Sequence, residues 1–178
     1  MIGFVSAGDL FNLFVFMEVL SLSAYALTSI GGQKSSEIVA FRYLLMGTLS
    51  SLAILMAIAF LYSITGALNI KYLALRLAET PYFTVASVAF GLLIIGFSLK
   101  AAIFPLHVWL PDAHSIALSP VSAILSGLVV NMGVIGLFRT FQIYRLNSQI
   151  GISTISTFLT WLGIISIFAG GFFALFQD

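Results

Sequence analysis

Apolar stretches of about 20 residues recur along this chain, and that is the length an α-helix needs to cross a bilayer core of about 30 Å. Five spans are expected, at residues 9–30, 41–65, 82–118, 119–141 and 152–176. The chain is 61% hydrophobic and only 7% charged, with a mean hydropathy of +1.15, more apolar surface than a soluble domain can hide within itself. The expected fold is therefore all-α: a polytopic, multi-pass transmembrane helix bundle forming a single domain over residues 1–178, set in the lipid bilayer. Gly31-Gly32 and the polar residues 33–37 are expected to end the first span, and Gly66 the second. Residues 69–80, with Lys71, Arg76 and Glu79 among Leu73, Leu75 and Leu77, are expected to lie along the membrane interface. Ser119-Pro120 reads as a cap followed by proline at the first helical position. Small residues four apart, such as Gly47/Ser51, Ser122/Ser126, Ala123/Gly127 and Ser166/Gly170/Ala174, allow close helix approach in lipid.

Several function classes fall away on composition. A net charge of +1 with seven scattered Lys and Arg residues leaves no basic patch for nucleic acid. Zero cysteines exclude disulfides, thiolate zinc sites and cysteine-ligated iron–sulfur clusters, and two histidines are too few for a multi-haem site. No metal and no cofactor is expected, so any electrons in the system run through another chain. Residues 1–8 lack the pattern of a signal peptide and read as the lead-in to a helix. With alternating spans, Lys71, Arg76, Arg139 and Arg145 share one side and Lys34 and Arg42 the other, which by the loop bias of basic residues puts the first group in the cytoplasm.

The third span is too long to be one helix. Unbroken, residues 82–118 would run about 54 Å. Pro105 has no amide for the carbonyl of Ala101, and Pro111 removes another donor, so breaks are expected between Lys100 and Pro105 and again near Pro111, leaving freed carbonyls beside the Lys100 ammonium.

Charges inside apolar spans cost several kcal/mol, so they are expected where they line an enclosed or wet path. Glu18, among Phe14, Phe16 and Met17, and Lys100 are the two such groups. The bland alternatives are a protonated Glu18 bonded to a neighbouring helix and a Lys100 that snorkels to the interface. His107 and His114 flank Trp109-Leu110-Pro111-Asp112 and are read either as relay or hinge groups or as interfacial hydrogen-bonding groups; their spacing suits no metal site. Asp112 is expected to cap a short helix or to pair with a histidine. Asn131, mid-span, reads as a polar link between helices, while Asp9, Arg42 and Arg139 sit near span ends, where snorkelling is the simple account.

The run Asp9-Leu10-Phe11-Asn12-Leu13-Phe14-Val15-Phe16-Met17-Glu18-Val19-Leu20-Ser21, then Lys100 with Pro105-Leu106-His107-Val108-Trp109-Leu110-Pro111-Asp112-Ala113-His114, then Ser119-Pro120-Val121-Ser122-Ala123, resembles the antiporter-like proton-conducting membrane subunits. These include the antiporter-like subunits of respiratory complex I, the A-type and D-type subunits of Mrp sodium/proton antiporters, and counterparts in membrane-bound hydrogenases and sulfane-sulfur reductases. The resemblance implies a fold of about 14 helices with two inverted repeats, of which this chain matches about the fifth to ninth, as a short, split or duplicated subunit or as a fragment. It implies that Glu18 and Lys100 form a coupled pair in which the glutamate modulates lysine protonation, and that His107 and His114 follow the break as part of the route. It also implies a membrane subunit of a multisubunit proton- or cation-translocating complex in a prokaryotic cell membrane, redox-driven or antiporting, moving H⁺ and, in the antiporter case, Na⁺, with other membrane subunits as partners. No redox centre is visible in this chain itself, so a catalytic role belongs to the assembly. Most relatives carry a lysine where this chain has Asn131, which cannot hold a proton at physiological pH; the alternative reading is a non-conducting structural spacer in the membrane arm. The resemblance places the start of the first span outside, opposite to the loop count.

Overall fold

The computed structural model describes residues 1–30, 34–79, 81–146 and 152–175. Helices α1 (Ile2–Ser6), α2 (Leu10–Ser29), α3 (Lys34–Thr65), α4 (Ile70–Glu79), α5 (Phe83–Lys100), α6 (Trp109–Ile116) and α7 (Ser119–Ile124) follow in order. A π-helical turn, Leu125–Val129, joins α7 to α8 (Val130–Leu146), and α9 (Ile152–Leu175) comes last. Among the described residues, five segments are long and apolar enough to cross a membrane, within α2, α3, α5, the continuous α7–α8 rod and α9. The chain is an integral membrane protein with the expected all-α, multi-pass architecture.

Asp9 starts α2 as its cap, accepting a hydrogen bond from the Asn12 backbone amide at 2.7 Å; capping rather than snorkelling accounts for this carboxylate. The second span begins earlier than expected, because Lys34–Glu37 form the first turn of α3 instead of a loop. Glu37 in that turn faces the positive end of the helix dipole, which suits helix initiation as well as it suits a loop. The stop assigned to Gly31-Gly32 lies outside the described residues, as do Gln33, Thr80 and Phe176. Gly66, with φ +65°, ends α3 as expected. In α4, Ile70, Leu73, Ala74 and Leu77 are buried, while Lys71, Leu75 and Arg76 are exposed. It lies across the end of the bundle against α8 and α3.

α3 packs along both α2 and α5, and α8 along α5. Without a hydrophobic driving force in lipid, such packing rests on close contact and interhelical hydrogen bonds; the Ser50 hydroxyl donates to the Gly96 carbonyl at 2.7 Å. The fully apolar packing separates into two clusters. One surrounds Leu13, Met17, Ile54, Leu93 and Phe97; the other surrounds Tyr25, Tyr43, Leu99, Trp109 and Leu125. The third span is broken as expected: α5 stops at Lys100, and residues 101–108 form turns holding Ala102 at φ 51° and a cis Phe104-Pro105 peptide.

The structure corrects the second break. Pro111 sits inside the first turn of α6, where no intrahelical partner is required of its missing amide, so it is tolerated there. The expected cap at Ser119 also shifts by one residue, with Leu118 flanking the helix and Ser119 its first residue. The fourth span runs on to Leu146 through the π-helical turn, which no sequence feature announced.

Candidate functional site: a buried Glu–Lys pair at an interrupted helix

Glu18, Ser21 and Tyr25 follow one another at helical spacing i, i+3 and i+7, which aligns them on one stripe of α2. Lys100, the last residue of α5, reaches that stripe. Its ammonium lies 2.8 Å from Ser21 Oγ, 2.9 Å from Tyr25 Oη and 3.9 Å from Glu18 Oε1. Two of its three protons are donated to hydroxyls, and the third side faces the carboxylate at ion-pair distance. Lys100 is only 2% exposed, against 25% for the Glu18 side chain. Glu18 in turn accepts from the Ser51 hydroxyl of α3. The negative end of the α5 dipole adds to what holds a cation at this helix terminus. Lys100 therefore points into the bundle and does not snorkel.

Two carbonyls beside the break are bonded elsewhere, and none is bonded to the ammonium among the described residues. Leu99 O accepts from the Trp109 indole at 2.9 Å and from Ala102 N, and Ser98 O accepts from Ile103 N. Trp109 stacks on Tyr43, centroids 4.5 Å apart and 8° between planes, and Tyr43 meets Tyr25 edge-on. An aromatic brace thus links the far side of the break to the tyrosine that holds Lys100.

Gly47 makes that brace possible. A Cβ there would overlap the Tyr25 hydroxyl. Gly47→Ala is expected to push Tyr25 off Lys100 and to lower stability by about 1–3 kcal/mol through overpacking and a lost hydrogen bond. Thermal unfolding in detergent measures it; an unchanged midpoint would mean that Tyr25 repacks freely.

The other expected site residues are dispersed. His114 Nδ1 is 2.6 Å from Ser122 Oγ, joining α6 to α7. His107 packs between Phe104 and Phe173, its buried Nδ1 without a partner among the described residues. No hydrogen bond or ion pair links either histidine to Glu18 or Lys100 among the described residues. Among the described residues Asp112 neither caps α6 nor pairs with a histidine; it forms a 3.5 Å ion pair with Arg42, both side chains exposed. Arg42 reaches across from α3 because α6 packs there. Arg139 bonds the Val5 carbonyl at 2.6 Å instead of only snorkelling.

Asn131 does not link helices among the described residues. It is exposed, and its amide bonds back to Gly127 O at 2.9 Å and Ser126 O at 3.3 Å. These are carbonyls of the π-helical turn, whose widened bonding a side-chain amide helps to satisfy. Ser21, Tyr25 and Ser51 are the site residues that sequence reasoning missed; the spacing of Ser21 and Tyr25 from Glu18 was the available signal.

Residues 7–178 match the family described as NADH:quinone oxidoreductase/Mrp antiporter, TM, and the chain belongs to it. Over 99% of its length it is 36% identical to NADH-quinone oxidoreductase subunit N of Desulforudis audaxviator, covering 35% of that protein. Among solved structures, 90% of the chain superposes on 32% of a chain of the membrane-bound sulfane sulfur reductase, an archaeal respiratory membrane complex, with 34% identity and a TM-score of 0.79. A chain of the Mrp complex from Dietzia sp. gives 30% identity and a TM-score of 0.73 over 92% of this chain and 29% of that one. The chain spans about a third of the length of the relatives it matches.

Proposed function

We propose that this chain is a transmembrane domain, residues 1–178, of a membrane subunit in a multisubunit proton- or cation-translocating complex, with Glu18 and Lys100 as its proton-transfer element. The partners are other membrane subunits of that complex. The observation that carries the reading is the Lys100 ammonium, 2% exposed at an interrupted helix, facing one carboxylate and two hydroxyls. A protonatable group so placed exchanges a proton with Glu18 without leaving the bundle, and intramembrane ionisable groups default to such roles. His107 and His114 stand beyond the break as candidate relays, and Ser21, Tyr25 and Ser51 orient the pair. H⁺ is the ion this constellation serves; relatives named as components of Na⁺/H⁺ antiporters make Na⁺ the counter-ion to test.

The spacer reading is favoured by one observation: Asn131, which holds no proton, is exposed on α8. Glu18→Gln in the reconstituted complex distinguishes the two. Under the proton-transfer reading, translocation falls about tenfold or more with the subunits still assembled; a spacer keeps wild-type translocation.

A further inference from the structure

At the end of the bundle remote from residues 101–108, a pocket of about 520 Å³ opens between α4 and the C-terminal part of α8, lined by Gly8, Ile70, Lys71, Arg139, Gln142 and Arg145. Its floor is fixed by backbone pairing, since Ile70 N donates to Gly8 O at 3.1 Å and Leu10 N to Leu68 O at 3.0 Å. Three cations contributed by two helices therefore converge on one concavity. None of the three forms an ion pair with a carboxylate among the described residues. Asp9, next to the lining residue Gly8, is turned to Asn12. Arg139 is held in place through Nη2 on Val5 O, which uses one of its five donors and leaves the rest of the guanidinium for an anion.

A second feature lies on the same helix, α8. An apolar groove of about 400 Å³ runs between α8 and α9, lined on α8 by Val134, Leu137, Phe138 and Phe141. Arg145 follows Phe141 by four residues and Phe138 by seven, so it stands at the head of this groove on the same helix face. Tyr72 and Leu75 of α4 and Phe138 of α8 are exposed. A basic pocket and an apolar groove that follow one another along one transmembrane helix match a molecule with an anionic head and a hydrocarbon tail.

We propose that this two-part site holds an anionic phospholipid, its phosphate among Lys71, Arg139, Gln142 and Arg145 and an acyl chain in the α8–α9 groove. A free phosphate shares the head chemistry but has no use for the groove. Basic pockets of this kind between transmembrane helices select anionic headgroups over zwitterionic ones, at about a fivefold gain per cation.

The complex carrying this chain, exchanged into nanodiscs of phosphatidylcholine with a minority of phosphatidylglycerol and then returned to mild detergent, tests the site by mass spectrometry of the retained lipid. Wild type is expected to retain phosphatidylglycerol in preference to phosphatidylcholine, and Lys71→Gln with Arg145→Gln to lower that retention about 25-fold. Both substitutions leave the Arg139–Val5 bond intact. The charge-preserving pair Lys71→Arg with Arg145→Lys is expected to stay near wild type, which separates loss of charge from loss of fold. Excess inorganic phosphate is expected to displace little lipid. Equal retention by the neutralised variant, equal retention of the two lipids, or full displacement by inorganic phosphate would overturn the proposal. So would loss of a neighbouring subunit from the neutralised variant with its lipid retained, which would assign the pocket to a protein.

Discussion

Lys100→Met is expected to abolish proton translocation by the assembled complex and to cost the bundle about 1–3 kcal/mol. The two halves of this expectation have different causes. Methionine fills nearly the same volume, but it removes only one partner of the pair and leaves the Ser21 and Tyr25 hydroxyls without the ammonium they accept from, so the relief of desolvation is offset by unpaired polar groups. Glu18, left without its partner, is a quarter exposed and keeps the Ser51 hydroxyl. Transport has no such substitute, because Lys100 is the buried cation among the described residues. In the converse variant, Glu18→Gln, the ammonium keeps the Ser21 and Tyr25 hydroxyls, and a loss of stability of about 1–3 kcal/mol is expected along with slower translocation. Proton uptake by proteoliposomes and thermal unfolding of the same preparations measure both. Normal translocation in both variants, with the complex intact, would leave only the spacer reading standing.

Gly133→Val is expected to be the most damaging single substitution in the packing. A Cβ at Gly133 would overlap the backbone nitrogen of Ala101 and lie against its Cα and Cβ. Backbone at the break cannot swing aside as a side chain does, so either α8 withdraws from α5 or the turn after Lys100 deforms. Overpacking of about 3 kcal/mol or more is expected, read as a loss of folded yield and a lower unfolding midpoint. Gly127→Ala, where nothing lies within 4 Å, serves as the control and should change little. A Gly133→Val protein with a wild-type midpoint would show that the α5–α8 contact is not needed to hold the break.

The pair and the break were legible because each contradicts its surroundings: a charge in hydrocarbon and a proline in an over-long apolar run are anomalies at the level of single residues. The hydroxyls around Lys100 were not, since Ser21, Tyr25 and Ser51 are unremarkable in apolar helices until another helix brings an ammonium to them. Pro111 misled because the same residue that breaks a helix interior is tolerated in a first turn, and only the position of Trp109 decides between them. Lys34–Glu37 misled in the same manner, polar residues serving loops and helix starts alike. Asn131 read as an interhelical group because the π-helical turn that it bonds has no marker in the sequence.

The indole of Trp109 spans the interruption from one side to the other, bonding the carbonyl one residue before Lys100 while its ring is stacked on Tyr43. A break closed in this manner is a fixed corner and not a hinge. The consequence concerns time: with the corner fixed, the motion left to Lys100 is rotation of its own side chain between carboxylate and hydroxyls, and at 2% exposure that rotation waits on its packed neighbours, unlike the picosecond-to-nanosecond flips of exposed side chains.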